Sequence, residues 1–284
     1  MKTTIKRFLS FFVGVPLAGG IVLLLPQKNQ LAVNILIVLL SALGALEFAN
    51  LLRKKNIPLS APEAAVLGAS CPLAATLTVS FGVYNEIILV IFVLGAFWLF
   101  LSGIFARKES FGDFAGRLAA GFAVMIYPGF FMIWIIKMAL FSRANMIILM
   151  FLLITIANDS AAWAAGMLFG AGNRGIIPAS PNKSVAGFAG GAAASILTGM
   201  GAVIFIPAVF SVSRGSSLPA GALLGFLSGL AGSLGDLGES VIKRSSQVKD
   251  SGNLIPGRGG ILDSLDSIAF AAPIYYFSFL LLFA

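Results

Sequence analysis

Long apolar stretches recur along the chain, separated by short polar breaks. A helix crossing roughly 30 Å of hydrocarbon needs about 20 residues. Nine stretches approach or exceed that length: Phe8–Leu25, Leu31–Leu52, Ala64–Val83, Ile87–Ile104, Leu118–Ile136, Asn145–Phe169, Val185–Phe210, Leu218–Ile242 and Asp266–Phe283. The pattern predicts an all-α polytopic membrane protein with about nine transmembrane helices. Lys2, Lys6 and Arg7 precede the first stretch, as in a secretory signal, but its 18 residues exceed a usual signal core, so it reads as a retained helix. No soluble domain, linker or low-complexity tract interrupts the series. We read a single membrane domain in which residues 1–150 carry spans one to five and the start of the sixth. Residues 151–284 carry the later spans and two polar loops.

Charge placement orients the helices. With the N-terminus in the cytoplasm, the inward segments hold 15 of the 19 Lys and Arg residues, and only Lys28, Lys137, Arg143 and Arg214 face outward. Orientation follows the side richer in Lys and Arg, which puts the N-terminus inside and the C-terminus outside. The net charge of +8 then reports topology, and nucleic acid is not an expected partner. Composition narrows the chemistry further. Charged residues make up 11% of the chain and apolar ones 58%, far from the roughly one-quarter charged content of soluble domains. A single cysteine, Cys71, excludes a disulfide framework and a Cys-based zinc site. The absence of histidine excludes His acid–base catalysis, His-containing triads and His-ligated metals. Carboxylates, hydroxyls, lysines and arginines must do whatever is done. Gly221, Gly225 and Gly229, with the pairs Gly166/Gly170 and Gly187/Gly191, have the spacing of close helix packing.

Most acidic residues fall in loops, and Glu63, Glu86 and Glu109 are expected to be simply solvated. Glu47, near the end of the second span, is expected to pair locally with Arg53 or Lys54. Asp159, flanked by Asn158 and Ser160, lies inside an apolar run, where a carboxylate is costly and normally faces a cavity, a partner or an ion. The densest polar constellation runs from Gly235 to Asp266. At helical spacing Asp236, Glu239 and Lys243 share one face, and Asp263 and Asp266 are again three apart. Between them, Pro256-Gly257-Arg258-Gly259-Gly260 can present successive backbone N–H groups to an anion. Hard oxygen ligands of this kind suit Mg²⁺, which takes one or two carboxylates and completes its shell with water and phosphates. The inward loop from Gly170 to Ser184 repeats the theme: Ser180, Lys183 and Ser184 precede a helix whose N-terminal amides favour phosphate oxygens. No Gly-Lys-Ser/Thr follows the glycines, so the loop is not a Walker motif.

These residues resemble the phosphatidate cytidylyltransferase (CDP-diacylglycerol synthase) family. The family's C-terminal signature is matched in spacing by Ser240, Lys243, Arg244, Lys249, Asp250, Pro256, Gly257, Gly259, Gly260, Asp263 and Asp266. Upstream, Asn158, Asp159, Ser160, Trp163, Gly166, Phe169 and Gly170, then Ser180, Pro181, Lys183 and Ser184, resemble its second block. Three positions depart: Arg258 stands for the family's His, Ser264 for its Arg and Ala186 for its Glu.

The resemblance implies that CTP and phosphatidic acid give CDP-diacylglycerol and pyrophosphate. It implies Mg²⁺ on Asp236 and Asp263, with Asp266 as a further ligand and a monovalent cation such as K⁺ as an optional companion. Lys243, Arg244, Lys249 and Arg258 would draw in the triphosphate. Ser180, Lys183, Ser184, Ser240, Asp250, Gly259, Gly260 and Asp159 would complete the substrate site. The substrates place the enzyme in the inner (cytoplasmic) membrane, its site facing the cytoplasm. A CTP-dependent kinase or cytidylyltransferase of an isoprenoid lipid and a secondary transporter remain as alternatives. Oligomeric state, a homodimer included, is left open.

Overall fold

The computed structural model describes residues 2–57, 59–212, 216–255, 257 and 259–284. Among these the regular elements are helical: α1 (Lys2–Leu24), α2 (Gln27–Arg53), α3 (Ala61–Phe81), α4 (Ile87–Ile104), α5 (Phe114–Val124), α6 (Ile133–Met138), α7 (Ala144–Phe169), α8 (Val185–Phe205), α9 (Ser217–Ser245) and α10 (Leu262–Phe283). Among the described residues eight segments are long and apolar enough to cross a membrane, Phe111–Met138 forming one of them through α5 and α6. The first expected span lies in α1, whose described apolar part is Phe12–Leu24. The chain is an integral membrane protein.

The fifth expected span, Leu118–Ile136, is not one regular helix. A π-helical turn, Met125–Gly129, separates α5 from a short 3₁₀ turn and α6. Pro128 is the cause: it has no N–H to donate and its ring crowds the carbonyl one turn back, at Val124, so the helix widens. Gly129 then lies against α3, where an added Cβ would stand 2.9 Å from the Gly68 carbonyl oxygen.

Two compact units are formed. The first takes the chain up to Leu140 together with Ser245–Leu265. In it α2 and α3 pack where Gly68 admits Ala45. Polar clamps join their ends: the Asn29 amide donates to the Val79 carbonyl at 2.7 Å and the Asn34 amide to Ser80 Oγ at 3.0 Å. Left-handed backbone at Lys28, Asn29 and Gln30 sets the start of α2. Ser60 caps α3 by accepting from the Glu63 N–H at 3.3 Å. Glu63 is more than solvated. Its carboxylate accepts from the Arg117 guanidinium at 3.0 and 3.2 Å and from Trp98 Nε1 at 3.1 Å, tying α3 to α4 and α5.

The second unit comprises Phe141–Arg244 and Asp266–Ala284. Its helices approach through small residues, as expected where lipid supplies no hydrophobic drive between helices. Gly187 and Gly191 of α8 lie on Ala162 and Asn158 of α7. Gly199 meets the backbone of Gly221, and Gly225 meets that of Ser195, so α8 and α9 touch main chain to main chain. Gly235 of α9 takes the Asp266 carbonyl of α10. Tyr275, fully buried, donates its hydroxyl to the Ile147 carbonyl at 2.9 Å and packs on Phe151 with ring centroids 5.3 Å apart.

Candidate active site

Close packing of α7, α8 and α9 places polar side chains at the ends of apolar helices. Asn158, buried in the fifth turn of α7, donates to Ser233 Oγ of α9 at 3.0 Å and to its neighbour Asp159 at 3.3 Å. Asp159 Oδ1 also accepts from Ser267 Oγ of α10 at 3.5 Å. One face of α9 carries Asp236, Glu239 and Lys243. Lys243 pairs with Glu239, which is fully buried. Asp236 Oδ2 receives Lys183 Nζ at 2.6 Å.

Lys183 belongs to the loop after α7, shaped by left-handed glycines at Gly172 (φ 82°) and Gly175 (φ 84°). Its ammonium also lies 5.8 Å from the Phe188 ring centroid, a cation–π arrangement. Ser184 ends the loop as the cap of α8, its Oγ accepting from the Gly187 N–H at 3.0 Å. Ser180 forms the turn before it, its carbonyl accepting from the Lys183 N–H at 3.1 Å. Arg244, exposed at the end of α9, reaches the Ala179 carbonyl at 3.4 Å. Ser240 is half-buried on α9.

Asp266 is 8% exposed and accepts from the Ser267 N–H at 2.6 Å. Asp236, Glu239 and Asp159 all act on it electrostatically. The second unit therefore gathers four carboxylates around two ammonium groups, Lys183 and Lys243. Such a surplus of negative charge away from bulk water favours a cation. Among the described residues no three Asp, Glu, Cys or His side chains close into a ready metal cage. The donor chemistry, hard oxygen without nitrogen or sulfur, still fits Mg²⁺, which needs only one or two carboxylates.

The rest of the signature lies in the first unit. Ile255 and Gly259 exchange backbone hydrogen bonds at 2.8 and 3.1 Å, closing a turn with Gly257 at φ 83° and Gly259 at φ 114°. Glycine is required at these angles because a Cβ there is strained. Asp263 Oδ2 accepts from the Ser251 N–H (2.9 Å), Ser251 Oγ (2.8 Å) and the Gly260 N–H (2.7 Å). Lys249 and Asp250 are exposed. Arg258 lies outside the described residues.

Two residues of this arrangement, Glu47 and Ser251, escape the sequence reading. Glu47 does not pair with Arg53, which donates to Asn50 at 2.7 Å. Arg53 is six residues further on and so about 240° around the helix from Glu47. Instead Glu47, 5% exposed, accepts from the Leu262 N–H at 2.9 Å and from Ser251 Oγ at 3.1 Å. The signal was available, since Glu47 is a lone acid within an apolar run just as Asp159 is.

Fold and site together define a polytopic α-helical membrane protein that carries carboxylates, lysines and glycine turns suited to phosphate chemistry. The chain belongs to the cytidylyltransferase family, whose family model matches residues 5–282. It is 44% identical over 138 residues to the phosphatidate cytidylyltransferase of Synechocystis, an alignment covering 46% of this chain and 45% of that protein. Against the phosphatidate cytidylyltransferase of Bacillus subtilis it is 42% identical over 125 residues, covering 43% of this chain and 42% of the relative. The enzyme of that name from Mycobacterium tuberculosis is 46% identical over 114 residues, 40% of this chain and 32% of the relative. The chain thus spans less than half the length of these curated relatives.

Proposed function

We propose that this chain transfers the cytidylyl group of CTP to phosphatidic acid, giving CDP-diacylglycerol and pyrophosphate. The observation that carries the reading is the grouping, within the second unit, of Asp159, Asp236, Glu239 and Asp266 with Lys183 and Lys243. The names of the relatives support it.

A phosphate oxygen of phosphatidate attacks the α-phosphorus of CTP. The new P–O bond forms as the bond to the bridging oxygen of the β-phosphate breaks, and pyrophosphate leaves with that electron pair. The nucleophile is already an anion near pH 7, so no general base is needed and a chain without histidine is not handicapped. Alignment and charge neutralisation remain, the usual contributions to phosphoryl transfer.

Lys183 and Lys243 offset triphosphate charge while Asp236 and Glu239 hold their ammonium groups in place. Arg244 and Lys249, both exposed, attract CTP from the water side, and Arg258 is assigned the same task. Ser180 and Ser240 offer hydroxyls to phosphate oxygens, and Ser184 holds the start of α8 in place for them. The Gly259 and Gly260 N–H groups are taken by the Ile255 carbonyl and Asp263 Oδ2, so this turn, beside Asp250, would give phosphate a close backbone approach and not the successive amide donors its glycines suggest. Asp236, Asp263 and Asp266 would hold Mg²⁺, and within the second unit Asp159 adds its charge near Asp266. When bound, the ion would neutralise charge on the triphosphate. The 15-to-4 distribution of basic residues supports an N-terminus in the cytoplasm, a C-terminus outside and a site facing the cytoplasm across the inner membrane.

Mass spectrometry of lipids formed from CTP, Mg²⁺ and a mixed lipid extract tests the substrate assignment. CDP-diacylglycerol is the expected product. A phosphorylated or cytidylylated isoprenoid, or no new lipid, would overturn it.

A further inference from the structure

Ser251 Oγ stands between two carboxylates, 2.8 Å from Asp263 Oδ2 and 3.1 Å from Glu47 Oε2. The three groups bind both ends of the glycine-rich segment. Asp263 takes the N–H groups of Ser251 and Gly260, and Glu47 takes that of Leu262. Glu47 reaches them from α2, more than 200 residues away in sequence. The backbone packs directly on its carboxylate: a Cβ added at Gly252 or Gly260 would collide with the Glu47 oxygens. A carboxylate buried inside an apolar helix is expensive. Two apolar residues of the same span, Ala45 and Leu51, are buried at no such cost. Retaining an acid here makes sense if its hydrogen bonds fix the loop.

We infer that Glu47 is a positioning residue, a strut on α2 that holds Ser251, Gly252, Gly260 and Leu262, the two ends of the glycine-rich segment, in their bonded arrangement. It touches neither substrate nor reacting atoms. It acts through Ser251, Leu262 and the two glycines against it. The kinetic consequence rests on the proposed CTP-dependent reaction; the structural one does not.

Two variants of the full chain separate reach from charge. E47D keeps the charge and shortens the side chain by one methylene, drawing the carboxylate back from Leu262 and Ser251. E47Q loses the charge but keeps the reach and can still accept through its amide oxygen. Amide hydrogen exchange is read on the peptide containing Gly259–Leu262 in detergent-solubilised protein, beside steady-state kinetics with CTP. For E47D, exchange at least about tenfold faster and a KM for CTP raised at least about tenfold are expected, the scale of a lost hydrogen bond to a charged group. kcat should fall less than KM rises. E47Q should stay within about threefold of the unaltered protein in both readouts, since a neutral acceptor gives up part of a charge-assisted bond.

Wild-type exchange and KM in E47D would overturn the inference, as would an E47Q variant impaired as much as E47D. If the unaltered protein makes no CDP-lipid, the proposed reaction falls, yet the exchange rates still decide whether Glu47 holds the loop.

Discussion

At the level of single residues, charge pairing separates groups that the chain alone shows only as a list. Lys183 meets Asp236 across two elements, while Lys243 meets Glu239 along α9. An i,i+4 pair is legible from spacing, and the sequence does put Glu239 and Lys243 on one face without singling out their pairing. The Lys183 contact needed the loop after α7 to fold back, so the sequence supplied both residues without joining them. Ser251 and Glu47 were hidden for the same reason, their partnership spanning 204 positions. Asp236→Asn should cost kcat about 10²–10³-fold, the scale of removing one preorganised electrostatic group. Pyrophosphate release by purified protein measures this, with unchanged expression and thermal midpoint as the control. Lys183→Ala should raise the KM of one phosphate substrate about tenfold, roughly 1.4 kcal/mol of lost charge complementarity, read by titrating CTP and phosphatidate separately.

Among the elements, the boundaries of most spans were legible because apolar runs end where lipid ends. The expected span Ile87–Ile104 coincides with α4. The broken fifth span was not foreseen, because a hydropathy pattern is blind to the missing N–H of Pro128. Glycine spacing pointed correctly to helix packing. The contacts of Gly199, Gly221 and Gly225 with facing backbone leave no room for a methyl group. Gly225→Ala should therefore destabilise the protein by about 1–3 kcal/mol through overpacking. A Cβ added at Gly201 would meet nothing closer than Phe205 at 3.8 Å, so Gly201→Ala should be neutral or stabilise by up to about 1 kcal/mol through helix propensity. Thermal midpoints of both variants in one detergent distinguish the cases; equal midpoints would contradict this account of the α8–α9 contact.

For the whole molecule, the positive-inside distribution makes a topological claim open to labelling. Tyr84 and Ile176 are exposed at 84% and 64%, while Cys71 is buried and gives little background. With an impermeant thiol reagent, Tyr84→Cys should react in intact cells and Ile176→Cys only after permeabilisation; the reverse would invert the topology. Cytidylyl transfer and lipid phosphorylation differ in which phosphorus of CTP reaches the lipid, and that difference is directly measurable. The choice between them is tested by incubating the purified protein with phosphatidate, Mg²⁺ and CTP labelled at either the α- or the γ-phosphate. Cytidylyl transfer predicts that the α label enters the lipid, the γ label leaves in pyrophosphate, and EDTA abolishes both. A γ label in the lipid, or no label in it at all, would contradict the account.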